Sequence, residues 1–133
     1  MVYKKLLSCA KNVRLTDGDG KVLPIDDLLF ENGKPKDFIA YLEVKGEKVV
    51  IVSIGDYPEY LEKQIKIYLG KVDYFVCCLR TQNREGSARR MVYTKYEDYS
   101  KEEFWIEYSE DEKQQFAAKE NTVNQIVSVI TNQ

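Results

Sequence analysis

Residues 49–54 read VVIVSI, residues 58–70 read PEYLEKQIKIYLG and residues 72–79 read VDYFVCCL, and this run decides the fold. The first stretch is apolar at both odd and even positions, as a strand buried on two faces requires. Pro58 presets the first turn of a helix, and Asp56 stands just ahead of it, as N-cap or framing that turn with the proline. Leu61, Ile65, Tyr68 and Leu69 then recur on one helical face, and Gly70 supplies the stop. Val72 to Leu79 is a second buried-strand run. Strand, helix and strand in that order predict two parallel strands joined by a right-handed crossover. The fold class expected is α/β, with α+β as the alternative. It is a mixed sheet holding a right-handed βαβ unit at residues 49–79, with flanking helices and an amphipathic C-terminal helix.

Working upstream, residues 38–45 (FIAYLEVK) alternate in part and Gly46 lies in the tight connection to residue 49, which predicts an antiparallel neighbour for the central strand. Val13-Arg14-Leu15 and Val22-Leu23 flank Thr16-Asp17-Gly18-Asp19-Gly20, a hairpin pattern whose turn uses Asp and Gly to reach positive φ. Residues 3–11 suggest a short helix. Asp26-Asp27-Leu28-Leu29-Phe30 suggests a single helical turn ended by Asn32-Gly33.

Downstream, residues 80–87 form a polar loop, residues 88–96 fit either a helix or a strand, and residues 103–108 (EFWIEY) read as a strand with a helix as the alternative. Ser109 followed by Glu112 has the spacing of a capping box. Phe116, Val123, Ile126, Val127 and Ile130 keep helical spacing behind it, so the last helix is expected to lie on the sheet with these side chains inward.

The 133 residues suit a single domain spanning 1–133. Hydrophobic residues make up 44% and charged residues 32%, and 20 basic against 22 acidic residues leave a net charge of −2. No whole-molecule field then draws the chain to nucleic acid or membrane, and such binding needs a local patch. The sequence MVYKKLLSCAKNVRL contains only two consecutive leucines between charges, neither a signal-peptide core nor a membrane span. Three cysteines without regular spacing are no disulfide framework, so a reducing, cytoplasmic setting is expected. No cofactor motif is present. The chain also has no histidine. That removes the usual general base and the commonest metal ligand, and favours binding over catalysis.

Two segments carry candidate chemistry. Between residues 80 and 95 stand five cations, Arg80, Arg84, Arg89, Arg90 and Lys95, against one acid, Glu85. Ligands of open α/β sheets bind beyond the carboxyl ends of parallel strands, where Asp56 and Arg80 are expected to meet. Gly86-Ser87 has the makings of a helix start, whose N–H groups favour anions. The expectation is a small binding or regulatory domain that takes a phosphate-bearing ligand, a nucleotide or nucleic acid, on Asp56, Arg80, Thr81, Arg84, Arg89 and Arg90. The alternative is that the arginines are solvated or paired with neighbouring acids. The second segment, Glu97 to Glu112, interleaves eight carboxylates with Tyr99, Phe104, Trp105 and Tyr108. It reads as a protein-interaction surface, for a partner protein or a homo-oligomer, anchored by Tyr99, Trp105 and Tyr108. Otherwise it is an edge strand with aromatics inward and acids outward.

A third pattern is Glu43-Val44-Lys45 on a strand, with Asp26, Asp27 and Asp37 upstream. It resembles the acid-then-E-x-K arrangement of the PD-(D/E)XK nuclease superfamily, whose strand-strand-helix-strand core order is also similar over residues 26–79. The resemblance implies a carboxylate pair holding a divalent metal and a lysine assisting the attacking water. In that family the E-x-K strand leads into the helix, whereas here residues 49–54 intervene and offer Ser53 and Gly55 at the corresponding positions.

Overall fold

The computed structural model describes residues 2–23, 30–31, 34–35, 37–53, 57–79, 86–99, 101, 104, 106 and 109–131. Helix α1 (Val2–Leu7) precedes strand β1 (Ala10–Thr16), and two short strands, β2 (Phe30–Glu31) and β3 (Lys34–Pro35), pair with each other. Strands β4 (Ile39–Val44) and β5 (Glu47–Val52), helix α2 (Pro58–Tyr68), strand β6 (Tyr74–Cys77) and helices α3 (Ala88–Lys95) and α4 (Glu112–Thr131) follow. The main sheet is mixed, in the order β1-β4-β5-β6. β5 is antiparallel to β4 and parallel to β6, so α2 bridges the two parallel strands.

The apolar run of β5 explains its central place. Val49 and Ile51 are buried on one face with Leu42, Val44, Leu15, Tyr3, Leu6 and Ile130; Val50 and Val52 are buried on the other with Ile39, Leu61, Ile65, Ala88 and Met91. Helices therefore cover both faces, α1 and α4 on one side and α2 and α3 on the other, in three layers. The β4–β5 connection is the two-residue turn Lys45-Gly46, with φ of 50° and 81°. Positive φ at both central positions matches the twist of a hairpin.

α2 keeps the expected pattern, with Leu61 and Ile65 buried and Gly70 in the left-handed region at φ 82°. Its N-cap is Tyr57, which makes no side-chain cap bond, with Pro58 opening the first turn. Asp56 lies outside the described residues. β6 is more exposed than its sequence suggests: among the described residues it lies at the edge of the sheet, and all four of its residues are only partly buried.

Several other elements differ from expectation. The first helix ends at Leu7, because residues from Ala10 onward pair with β4, Ala10 opposite Val44. A cross-strand ladder outweighs the helical preference of Ala10 and Lys11. The hairpin around residues 16–20 forms, but its second arm is a single bridge, Thr16 opposite Val22. Its turn is held by Asp17, whose Oδ1 accepts from the N–H groups of Asp19 (2.9 Å) and Lys21 (2.8 Å). Phe30 belongs to β2, opposite Pro35, not to a helical turn; the remainder of that turn, residues 26–29, lies outside the described residues. Residues 88–95 are helical. Phe104 and Ile106 belong to no regular element, and Trp105 and Tyr108 lie outside the described residues.

α4 is capped by Asp111 instead of Ser109. Asp111 Oδ1 accepts from the N–H groups of Lys113 (2.9 Å) and Gln114 (3.2 Å), while Ser109 Oγ accepts from the Asp111 N–H. Aspartate outcompetes serine here because a charged acceptor strengthens the cap bonds. Val123, Ile126, Val127 and Ile130 join the core as their spacing predicts, but Phe116, 69% exposed, does not. No described helix is long and apolar enough to cross a membrane.

Candidate functional site

The register Val52 opposite Cys77 places the carboxyl ends of β5 and β6 side by side, which is the geometry that makes this end of an α/β sheet a place for ligands. The antiparallel pairs Thr16–Ile39 and Ile39–Val52 bring the turn after β1 to the same end. Ser53 ties it together: its N–H donates to the Phe38 carbonyl (3.0 Å) and its Oγ accepts from the Phe38 N–H (2.7 Å). The Tyr60 hydroxyl, from the first turn of α2, donates to the Gly18 carbonyl at 3.0 Å. Burial, together with the negative charges of Asp19, Asp17 and Asp37, pushes that hydroxyl above the usual tyrosine range. Three aspartates thus contribute to this end of the sheet, whereas their sequence pattern pointed, for Asp17 and Asp19, to turn formation alone.

Asp56, Arg80, Thr81 and Arg84 lie outside the described residues. Arg89 and Arg90 sit in the first turn of α3. Ser87 caps that helix, its Oγ accepting the Arg90 N–H at 3.1 Å, and no acidic residue occupies the first turn. Arg89 places its guanidinium 5.0 Å from the centre of the Tyr93 ring, one helical turn away, and Lys101 Nζ lies 5.5 Å from the same ring. Arg90 is exposed. Lys95, the fifth cation of the cluster, serves the fold: its Nζ reaches Glu62 of α2 at 3.0 Å. Its hydrogen bond, aided by Lys66, holds the Glu62 carboxyl below the usual carboxylate range against the opposing effect of burial.

In the acidic and aromatic segment Tyr99 is 52% exposed, its ring 6.3 Å from that of Tyr96. Lys101 Nζ donates to the carbonyls of Tyr96 and Tyr99, closing the end of α3. A lysine on carbonyls at and just past a helix C-terminus complements the dipole. Composition and charge do not single out Tyr93 or Lys101, although an Arg and a Tyr spaced four apart are helical neighbours.

The Glu43 carboxylate accepts from the Tyr41 hydroxyl (3.1 Å) and from Asn12 Nδ2 (3.0 Å). Glu43 pairs with Lys48 beside the β4–β5 turn, the opposite end of the sheet from Val52, and Lys45 is a turn residue. It is β5, not the strand of Glu43, that leads into α2. Asp26 and Asp27 lie outside the described residues, and Asp37 is exposed. Among the described residues no three Cys, Asp or Glu side chains are grouped to hold a metal ion. Burial, with a smaller effect of Cys78, pushes the Cys77 thiol up to about 12, whereas Cys9 and Cys78 are exposed.

No protein-family model, no curated protein and no solved structure matches this chain.

Proposed function

We propose that the chain is a small binding domain for a phosphate-bearing ligand, a nucleotide or a nucleic acid strand, held by the basic segment that leads from β6 into α3. The observation that carries this reading is the first turn of α3, which holds Arg89 and Arg90 and no acid. Cations at a helix N-terminus oppose the dipole by about 0.3–1 kcal/mol each. A bound anion reverses that sign, gaining from the N–H groups, the dipole and both guanidinium groups together. Stacking of Arg89 on Tyr93 fixes the plane of the guanidinium before a ligand arrives. Arg80, Thr81 and Arg84 are the nearest further donors along the chain, and Asp56 is the candidate to orient a ligand hydroxyl. The lack of histidine favours binding without catalysis.

The test is fluorescence anisotropy at low salt with a labelled nucleoside triphosphate and a labelled oligonucleotide. Wild type is compared with Arg89→Ala/Arg90→Ala and with Arg80→Ala/Arg84→Ala. A hydrogen bond to a charged group contributes about 1.5–3 kcal/mol, so each pair of substitutions is expected to weaken binding at least tenfold. No binding to wild type, or equal binding by the variants, sinks the proposal.

The exposure of Tyr99 and Ile106 favours a second reading, a protein-interaction surface that extends to Trp105 and Tyr108. It predicts that Tyr99→Ala and Trp105→Ala fold normally and lose a partner that wild type retains.

A further inference from the structure

Asp73, in the connection from α2 to β6, is tied to the first residues of β5. Its N–H donates to the Lys48 carbonyl (2.8 Å) and its Oδ2 accepts from the Lys48 N–H (2.7 Å), one residue ahead of the first parallel pair, Val49 with Tyr74. Glu47, the first residue of β5, has its carboxyl hydrogen-bonded to that of Asp73. An ionised carboxylate only accepts, so two carboxyl groups bond each other only when one of them carries a proton. With both ionised they repel. Among the described residues neither has a cation as an ion-pair partner.

We infer that Glu47 and Asp73 form an acid-sensitive clasp, sharing one proton as the surroundings turn mildly acidic and then holding the start of the β5–β6 pair more tightly than at neutral pH. The proton sits on Glu47, because Asp73 already accepts the Lys48 N–H, a bond that a charged carboxylate makes strongest. The surrounding elements leave this pair to itself. From β4, Tyr41 and Glu43 are bonded to each other, hydroxyl to carboxylate at 3.1 Å. Lys45, Lys48 and Lys71 are exposed, and the last turn of α4, whose Ile130 packs with Val44 and Val49, carries no charge. The charge of Asp73, then the bond to it and burial, hold the Glu47 carboxyl above the usual carboxylate range. A carboxyl that binds its proton more tightly folded than unfolded adds stability below its unfolded value, and that stability is lost as pH rises through the folded one. Glu62 and Glu120, held below the usual range by Lys95 and Lys5, act with the opposite sign.

Side-chain carboxyl carbons followed by NMR from neutral to acid pH read Glu47 and Asp73 separately, as a coupled pair requires. In wild type Glu47 is expected to titrate above the usual carboxylate range. Asp73→Asn keeps an acceptor for the Lys48 N–H and removes the charge, so the Glu47 midpoint is expected to drop into that range or below it. Urea midpoints read the consequence for the fold. Glu47→Gln supplies a donor at every pH. At pH 7 it is expected to unfold at higher urea than both wild type and Glu47→Ala, with the advantage over wild type shrinking as the pH falls and Glu47 takes up its proton. Wild-type Glu47 titrating within or below the usual range overturns the inference. So does a midpoint that Asp73→Asn leaves in place, or a Glu47→Gln advantage that is absent at pH 7 or constant with pH. The wild-type titration decides the matter even if a variant misfolds.

Discussion

Phe116 and Ile130 sit on one helix at positions that periodicity treats alike, and the structure separates them. Phe116 is 69% exposed and Ile130 is 1% exposed. Truncating a buried Phe to Ala costs about 3–5 kcal/mol. With only about a third of its surface covered, Phe116 loses roughly 0.5–1 kcal/mol of burial on becoming Ala. Alanine returns about 0.5 kcal/mol through its higher helix propensity, so the net change is close to zero. Ile130 lies in the buried cluster of Leu42, Val44 and Ile51. Ile130→Ala is expected to cost about 3 kcal/mol, within the usual range of roughly 2–5. For 133 residues the unfolding entropy is about 280 cal/mol/K, so that loss lowers Tm by about 11 °C. Urea denaturation followed by far-UV circular dichroism reads both variants. If Phe116→Ala costs 2 kcal/mol or more at an unchanged denaturant slope, Phe116 faces the core as its spacing predicts, and an α4 that leaves it in solvent is refuted.

Two further outcomes are expected. At pH 8 a thiol raised to about 12 holds about one part in ten thousand as thiolate, so iodoacetamide should modify Cys9 and Cys78 and leave Cys77 untouched until the pH rises or the protein is unfolded; peptide mass spectrometry that finds Cys77 alkylated as fast as Cys78 refutes its burial. Asp111→Ala should destabilise by about 1 kcal/mol, and more than Ser109→Ala, because Asp111 accepts both first-turn N–H groups while Ser109 only supports it; the reverse order in a denaturation series restores Ser109 as the cap.

The legible parts of the fold are those in which one physical demand fixes the residue type. Val49 to Val52 must be apolar at every position because both faces of β5 are covered, and Gly46 and Gly70 take φ values that a side chain would strain. The illegible parts are those in which two demands compete locally. Residues 8–11 carry helix-compatible side chains, yet Ala10 and Lys11 are drawn into pairing with Val44 and Glu43, partners more than 30 positions away. No window along the chain contains that information. Asp111 and Ser109 are both good caps, and the choice between them depends on where the first helical turn closes.

The same logic explains why the candidate site is harder to read than the fold. A cluster of five cations looks alike in sequence whether it serves a ligand or the structure. The fold divides it: Lys95 pairs with Glu62 across two helices, Arg89 rests on Tyr93, and Arg90 stands exposed in a first turn without an acid. The first contact stabilises a helix pair and is satisfied without any ligand. The last one is electrostatically unfavourable as it stands, since Arg90 adds a positive charge to the positive end of α3. A cation that is already paired is a poor anion receptor, because binding must first break the existing bond. A cation held against the helix dipole is a good one, because binding relieves an existing cost. Within the basic segment it is therefore the turn at Ser87–Arg90, and not the cation count, that argues for an anionic ligand, and Arg90→Ala is the single substitution on which that argument bears most directly.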